Sequence, residues 1–267
     1  MVTPPHPLDP DAAGVHVRID GDSGVVEWVP DAEGAGLAEA LRRAGDEAFA
    51  VSGLHRLQAV APDWDHVAVR ALHRAGFRRE GRLRDAWRNG DGTRSDLLVY
   101  ARLAGDRTGG AHGFTAVMDS VLPTKRVIGH VVFTDPSGRV LLLETRYKDD
   151  WELPGGIVEP GEPPVLGAER EVREELGIEV HLGQPRLVDW MPPLLGWSDA
   201  IEFIWYGGTL AADRRFELPD LEISSYHWAT RDEVPRRVTE LSARRIDLVL
   251  QASGFVFTVD GFPHSAE

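Results

Sequence analysis

The sequence predicts an α/β chain made of two units. Short runs of alternating apolar and polar residues, the period-two mark of half-buried strands, are interleaved with helical stretches along its length. Residues 105–113 interrupt that pattern with a glycine-rich polar run expected to be a flexible connector. Beyond it, residues 156–178 gather glycines and an unusual density of carboxylates into one stretch.

Taken in order, residues 1–13 are proline-rich and expected to be disordered. Residues 15–19 and 25–29 alternate like strands joined by the turn 20–24. Residues 31–36 open a helix over 37–51 with Leu37, Leu41, Ala44 and Ala48 on its apolar face. A strand follows over 54–60, a helix over 65–75 ended by Gly76, and strands from Phe77 and over 96–103. In the second half, strands over 127–134 and 139–144 flank the turn 135–138. Further strands are expected over 180–189, 200–210 and 225–229, then a final helix over 232–252. This divides the chain into a unit over 14–104, a linker over 105–124, a unit over 125–255 and a tail over 256–267.

With 267 residues the chain can bury a sizeable core. The absence of cysteine excludes disulfides, thiolate nucleophiles and cysteine-ligated zinc. No basic start and apolar run mark a signal peptide, and no stretch nears the ~20 apolar residues of a membrane span, so the expected location is the cytoplasm. The formal charge of −14 is uneven: residues 1–104 hold 13 Lys+Arg against 16 Asp+Glu, and residues 105–267 hold 16 against 27. Such a surface repels polyanions and argues against nucleic-acid binding, while a small nucleotide can enter where a metal inverts the local charge.

Residues 168–178 read as a short helix. Glu171, Glu174 and Glu175 fall at i, i+3 and i+4, on one face; Ala168, Val172 and Leu176 form a separate apolar stripe. Like charges at that spacing repel, and a cation among them turns the cost into a binding site. Hard carboxylate oxygens suit Mg²⁺ or Mn²⁺ rather than zinc.

Gly156, Glu162, Arg170, Glu171, Val172, Glu174, Glu175, Gly177 and Ile178 resemble the Nudix box at every fixed position over 23 residues, and the lead-in Trp151-Glu152-Leu153-Pro154-Gly155 is similar too. The resemblance implies an α/β/α sandwich with a mixed sheet, and a hydrolase that uses divalent metals to cleave a phosphoanhydride. It implies Glu171, Glu174 and Glu175, with the carbonyl of Gly155, as metal ligands, and Arg170 as the residue that orients them. Glu162 is either a water-mediated ligand or structural. Glu222, six residues before Trp228, resembles the placement of a later metal-site or base glutamate, and reads equally as an exposed loop acid.

The substrate implied is a nucleoside diphosphate linked to another moiety, as in ADP-ribose, or a nucleoside triphosphate. Arg146, Tyr147, Lys148 and Trp151 are candidates for phosphate contacts and base stacking, with Trp190, Trp197 and Trp205 behind them. Pro193 lies sixteen residues after Gly177, a spacing similar to that of ADP-ribose hydrolases. His130, His181 and His227 lack metal-ligand spacing and read as structural.

In the first half, Glu33-Gly-Ala-Gly-Leu37, Ala48-Phe49, Gly53-Leu-His-Arg-Leu57, Arg74-Ala-Gly-Phe77 and Glu80-Gly-Arg-Leu-Arg84 resemble the GNAT acetyltransferases. That resemblance implies acetyl-CoA held by the helix N-terminus at Gly34 and Gly36. The chain departs from the pattern at Asp31, Asp65, Ala68 and Leu72, and the first half of that fold has no counterpart before Val15. The unit therefore reads as a truncated, structural or regulatory remnant, and a homodimer is one way to rebuild the missing half. The rival readings are a nucleotide or acetyl-CoA sensor, and an acetyltransferase with an appended hydrolase.

Overall fold

Val17 and Val26 are buried between more exposed neighbours, and the strands that carry them pair as an antiparallel hairpin, β1 (His16–Asp20) with β2 (Ser23–Glu27). The structure, a computed structural model, describes residues 14–29, 34–218 and 222–264. They fall into two units that divide between Pro123 and Thr124. The expected N-terminal tail, 1–13, and Asp31 lie outside the described residues.

In the first unit, α1 (Gly34–Ser52) buries Leu37, Leu41 and Ala48. Gly34 and Gly36 belong to its first turn rather than to a loop, and no neighbour lies within 4 Å of where a Gly36 Cβ would stand. After β3 (Arg56–Pro62), Asp65 caps α2 (His66–Arg74) by accepting from the Ala68 amide at 2.9 Å. β4 (Arg78–Arg88) and β5 (Arg94–Leu103) complete a sheet ordered β1-β2-β3-β5-β4. The β2–β3 ladder is parallel and spans only Ser23 to Val25 against Arg56 to Gln58, although both strands run on.

The expected linker, 105–124, is largely helical. α3 (Gly110–Val121) packs on β4, where Ser120 Oγ accepts from the Arg79 amide at 3.0 Å and the Val121 carbonyl accepts from the Arg79 guanidinium. Glycine here serves contact rather than flexibility: a Cβ on Gly113 would stand 2.7 Å from the Arg107 carbonyl oxygen.

The second unit is built on β6 (Arg126–Thr134), β7 (Val140–Thr145), β8 (Gly155–Ile157), α4 (Pro164–Leu176), β9 (Leu187–Met191), β10 (Ala200–Thr209) and β11 (Ile223–Ala229). It ends with α5 (Val234–Arg237), α6 (Glu240–Gln251), β12 (Val256–Val259) and β13 (Phe262–Pro263). The mixed sheet runs β11-β7-β6-β10-β9-β12-β13, parallel at β6–β10 and β9–β12, with β8 pairing β6 off that path. Alternation along β6 and β7 divides the core: Val131, Phe133, Leu141 and Leu143 pack under Ala168, Val172 and Leu176 of α4, while Val132, Val140 and Leu142 pack under Ile246 and Val249 of α6. This is an α/β/α sandwich.

Three expectations for this unit fail. The strand expected over 180–189 forms only from Leu187, because Val180 and Leu182 pack onto the core from irregular chain and Trp205 Nε1 donates to the Gly183 carbonyl at 3.1 Å. The helix expected over 232–252 breaks at Val238, where Thr239 starts α6 afresh by capping the Ser242 amide at 3.1 Å. The expected tail, 256–267, instead supplies β12 and β13, which extend the sheet beyond β9. Among the described residues no helix is long and apolar enough to cross a membrane.

Candidate active site

Backbone geometry places the carboxylates. β8 pairs antiparallel with β6, Gly155 opposite His130, and the Pro154 carbonyl accepts from the Val131 amide at 2.8 Å. Gly155 has φ +134°, and a Cβ there would stand 2.1 Å from the Gly129 carbonyl oxygen, so only glycine fits. A proline at the first helical position starts α4, and Gly177 ends it in the left-handed conformation, φ +66°.

Arg170 is the centre of the acidic face. Its Nε and Nη2 donate to Glu162 at 3.0 and 3.1 Å, its Nη1 to Glu171 at 2.8 Å and Glu174 at 3.0 Å, and its Nη2 to the Ile157 carbonyl at 3.2 Å. The paired bonds make the Glu162 contact bidentate. Glu175 turns inward and is buried, accepting from the Gly155 amide at 2.8 Å. Burial pushes the Glu171 carboxyl up, against the Arg170 hydrogen bond and with added repulsion from Glu174. The Glu162 carboxyl is held below its ordinary value by Arg170 and by the Glu159 amide. Glu162, Glu171 and Glu174 thus share a single guanidinium.

Below β6, on the α6 side, lies a cavity of about 300 Å³. His130, Trp151, Met191 and Leu194 line it, and Glu202 and Arg245 form its floor. The floor is a buried chain of ionic groups. His130 Nδ1 donates to Glu202 Oε1 at 2.8 Å; Arg245 donates to Glu202 Oε2 at 2.5 Å and, through Nε, to Asp189 Oδ2 at 2.8 Å. Asp189 Oδ1 accepts from Thr258 Oγ1 at 2.5 Å and from the Gly261 amide at 2.9 Å. Burial alone would raise the Glu202 carboxyl; His130 and Arg245 outweigh it and hold it below the usual range.

A scan against family models matches the NUDIX domain over residues 123–249. A MutT-like protein of Streptomyces ambofaciens is 33% identical over 128 residues, 48% of this chain and 77% of the relative. The chain belongs to the Nudix family. The diphosphoinositol polyphosphate phosphohydrolase 2 of Rattus norvegicus is 49% identical over 45 residues, 17% of this chain and 25% of the relative, so the chain spans a quarter of that protein's length. Among solved structures, the MutT protein of Methanosarcina mazei Go1 is 24% identical with a TM-score of 0.40, covering 49% of this chain and 95% of its own. Nudix hydrolases are pyrophosphohydrolases acting on phosphoanhydride bonds.

Does the Nudix box fit the divalent metal its family uses? The donors are hard oxygens, and three carboxylates against one guanidinium leave the cluster negative. Among the described residues no three acidic or imidazole groups converge as a finished metal site, because Arg170 stands between Glu171 and Glu174 and Glu175 is turned to Gly155. In chemistry the residues fit the ion.

The remaining candidates scatter. Glu162 sits in the Arg170 fork, and Glu222 is exposed at the start of β11, its carbonyl accepting from the Arg146 amide at 2.9 Å. Trp151 and Lys148 line the cavity, whereas Arg146 and Tyr147 are exposed and absent from its lining. Trp151 is itself covered by the Arg237 guanidinium, 4.8 Å from its ring centre. Trp205 is core. Pro193 lies in the exposed stretch after β9. His130, expected to be structural, is a cavity wall. Asp189, Glu202 and Arg245 were missed, though each is a lone charge in phase with buried neighbours: Asp189 with Leu187, Glu202 with Ile204, Arg245 with Val249.

Proposed function

We propose that this chain is a Mg²⁺-dependent Nudix hydrolase that cleaves a phosphoanhydride in a nucleoside diphosphate linked to another moiety, or in a nucleoside triphosphate. The observation that carries the reading is a complete Nudix box folded around Arg170, with carboxylates left in excess over cations. Glu171, Glu174, Glu175 and the Gly155 carbonyl would hold the metal, which supplies charge neutralisation at the phosphates and a water acidic enough to ionise near neutral pH. Arg170 orients Glu171 and Glu174 and keeps their repulsion in check; Glu162 fixes Arg170 in turn. The cavity beside β6, lined by Trp151, Met191 and Leu194, takes the nucleoside.

The test is a panel of nucleotides with Mg²⁺, following release of phosphate, pyrophosphate or nucleotide. Hydrolysis of at least one member, abolished by chelator and by Glu174→Gln, is the expected result. No turnover of any member by the wild type would overturn it.

A second reading, acetyl-CoA binding by the first unit, is favoured by the early end of the β2–β3 ladder. Past Val25 and Gln58 the facing edges of β2 and β3 are no longer paired with each other, which leaves amide groups for a ligand, and a cavity of about 280 Å³ lined by Val25, Trp28, Val60, Pro62, Trp64 and Trp87 adjoins them. Titration calorimetry with acetyl-CoA checks it: binding supports this reading, and no heat at millimolar ligand removes it.

A further inference from the structure

Helices α2 and α3 of the first unit form a cavity of about 400 Å³. Arg70 and Arg74 line it, one helical turn apart and therefore on the same face of α2. Among the described residues neither guanidinium takes an ion pair or a hydrogen bond. His73, between them, is engaged by the Tyr100 hydroxyl at 3.2 Å, and no acidic residue is in the described lining. The α3 side of the cavity is apolar. Val117 is buried there, while Phe114 keeps 67% of its surface exposed.

Close packing fixes these walls. Gly76, just past α2, has φ +86°, and a Cβ on it would stand 2.5 Å from Thr108 Cγ2. A Cβ on Gly113 of α3 would stand 2.7 Å from the Thr108 carbonyl carbon. Thr108, which also lines the cavity, is thus wedged between the end of one helix and the first turns of the other.

Like charges at i and i+4 repel, and here nothing within the described fold offsets them although the chain carries a net charge of −14. An anion between the two guanidinium groups removes that cost. A phosphomonoester suits the pair best: it carries nearly two negative charges near neutral pH and three acceptor oxygens that guanidinium forks can bind in pairs. A carboxylate brings half the charge. The apolar wall adds a second requirement, since a bare phosphate would leave Phe114 facing water.

We propose that this cavity binds a phosphomonoester with an aromatic body, its phosphate between Arg70 and Arg74 and its ring against Phe114. The site is built within the first unit alone and does not depend on the hydrolase reading above.

The probes are phenyl phosphate, benzoate and inorganic phosphate, titrated calorimetrically into the full chain at pH 7.5, above the second phosphate pKa of about 6. Phenyl phosphate is expected to bind at one site, about tenfold more tightly than either of the others. Arg70→Gln combined with Arg74→Gln should weaken it by about tenfold or more, with a melting temperature at or above wild type because both side chains are exposed and repel each other. Phe114→Ala should weaken phenyl phosphate by about fivefold and leave inorganic phosphate unchanged.

Absence of phenyl phosphate binding at millimolar concentration overturns the proposal. Binding that survives intact in the double arginine variant also overturns it, because the ligand then sits elsewhere on the chain. Benzoate binding as tightly as phenyl phosphate removes the phosphate assignment, and inorganic phosphate doing so removes the aromatic one.

Discussion

Two arginines, one on each helix flanking the sheet, solve different problems with the same chemistry. Arg245 is buried with Asp189 and Glu202, and every oxygen of both acids is taken from within the fold. Arg170, 18% exposed, holds Glu162, Glu171 and Glu174, with Glu175 alongside, and leaves negative charge in excess. Burial explains the contrast. An unbalanced charge deep in the protein costs several kcal/mol, so the set around Arg245 must be closed. At the solvent edge, excess charge is tolerable and can be neutralised by a cation from outside. One cluster is closed within the fold; the other keeps net negative charge at the solvent edge.

The largest effect that separates the two is on activity. Glu174→Gln is expected to lower kcat/KM on the best panel substrate by about a thousandfold, roughly 4 kcal/mol of transition-state stabilisation. Because Glu174 is 50% exposed, its melting temperature should barely move. Activity within tenfold of wild type would erase the distinction between the clusters.

The mirror experiment is Arg245→Ala, which strands two buried acids. A loss of roughly 3 kcal/mol in urea unfolding of the second unit is expected. If Arg245→Ala were as mild as a surface change, the closed-set argument would fail. Gly155→Ala comes next: strain at φ +134° and the clash with the Gly129 carbonyl should cost about 2 kcal/mol and disturb activity as well.

Asp135 sharpens the comparison from the mild end. It is buried and, among the described residues, has no partner from another element, being held by Ser137 and Arg139 within its own turn. Burial pushes its carboxyl up, but those hydrogen bonds win and bring it down to about 2. A depressed carboxylate stabilises the fold above its unfolded value of 3.8 and loses that contribution as pH falls toward 2. Asp135→Asn should therefore cost about 1 kcal/mol at pH 7 and flatten the decline in stability between about pH 4 and 2. An unchanged acid slope in calorimetric or urea measurements would contradict this.

Legibility in the sequence follows how local each constraint is. The acidic helix was readable because Arg170 meets Glu171 and Glu174 within one turn, and because Gly155 and Gly177 sit where side chains do not fit. The α4 stripe of Ala168, Val172 and Leu176 is buried as its periodicity implies. The cavity floor was not readable, because its pairs join β9, β10, β6 and α6 across 56 and 72 residues. A lone acid in an alternating strand looks solvent-facing until its partner is known. α3 hid behind glycines that read as flexibility and turn out to permit close packing. β12 was invisible because a four-residue edge strand is defined by β9 beside it rather than by its own pattern.

The bonds from Thr258 and Gly261 to Asp189 also order events during synthesis. Asp189 leaves the ribosome 69 and 72 residues before the two groups that satisfy its second oxygen. At roughly 5–20 residues per second that interval lasts about 4–14 s. The acidic helix is complete well before it ends. A nascent chain therefore passes through a period in which the residues of the Nudix box exist and the floor of the adjoining cavity does not.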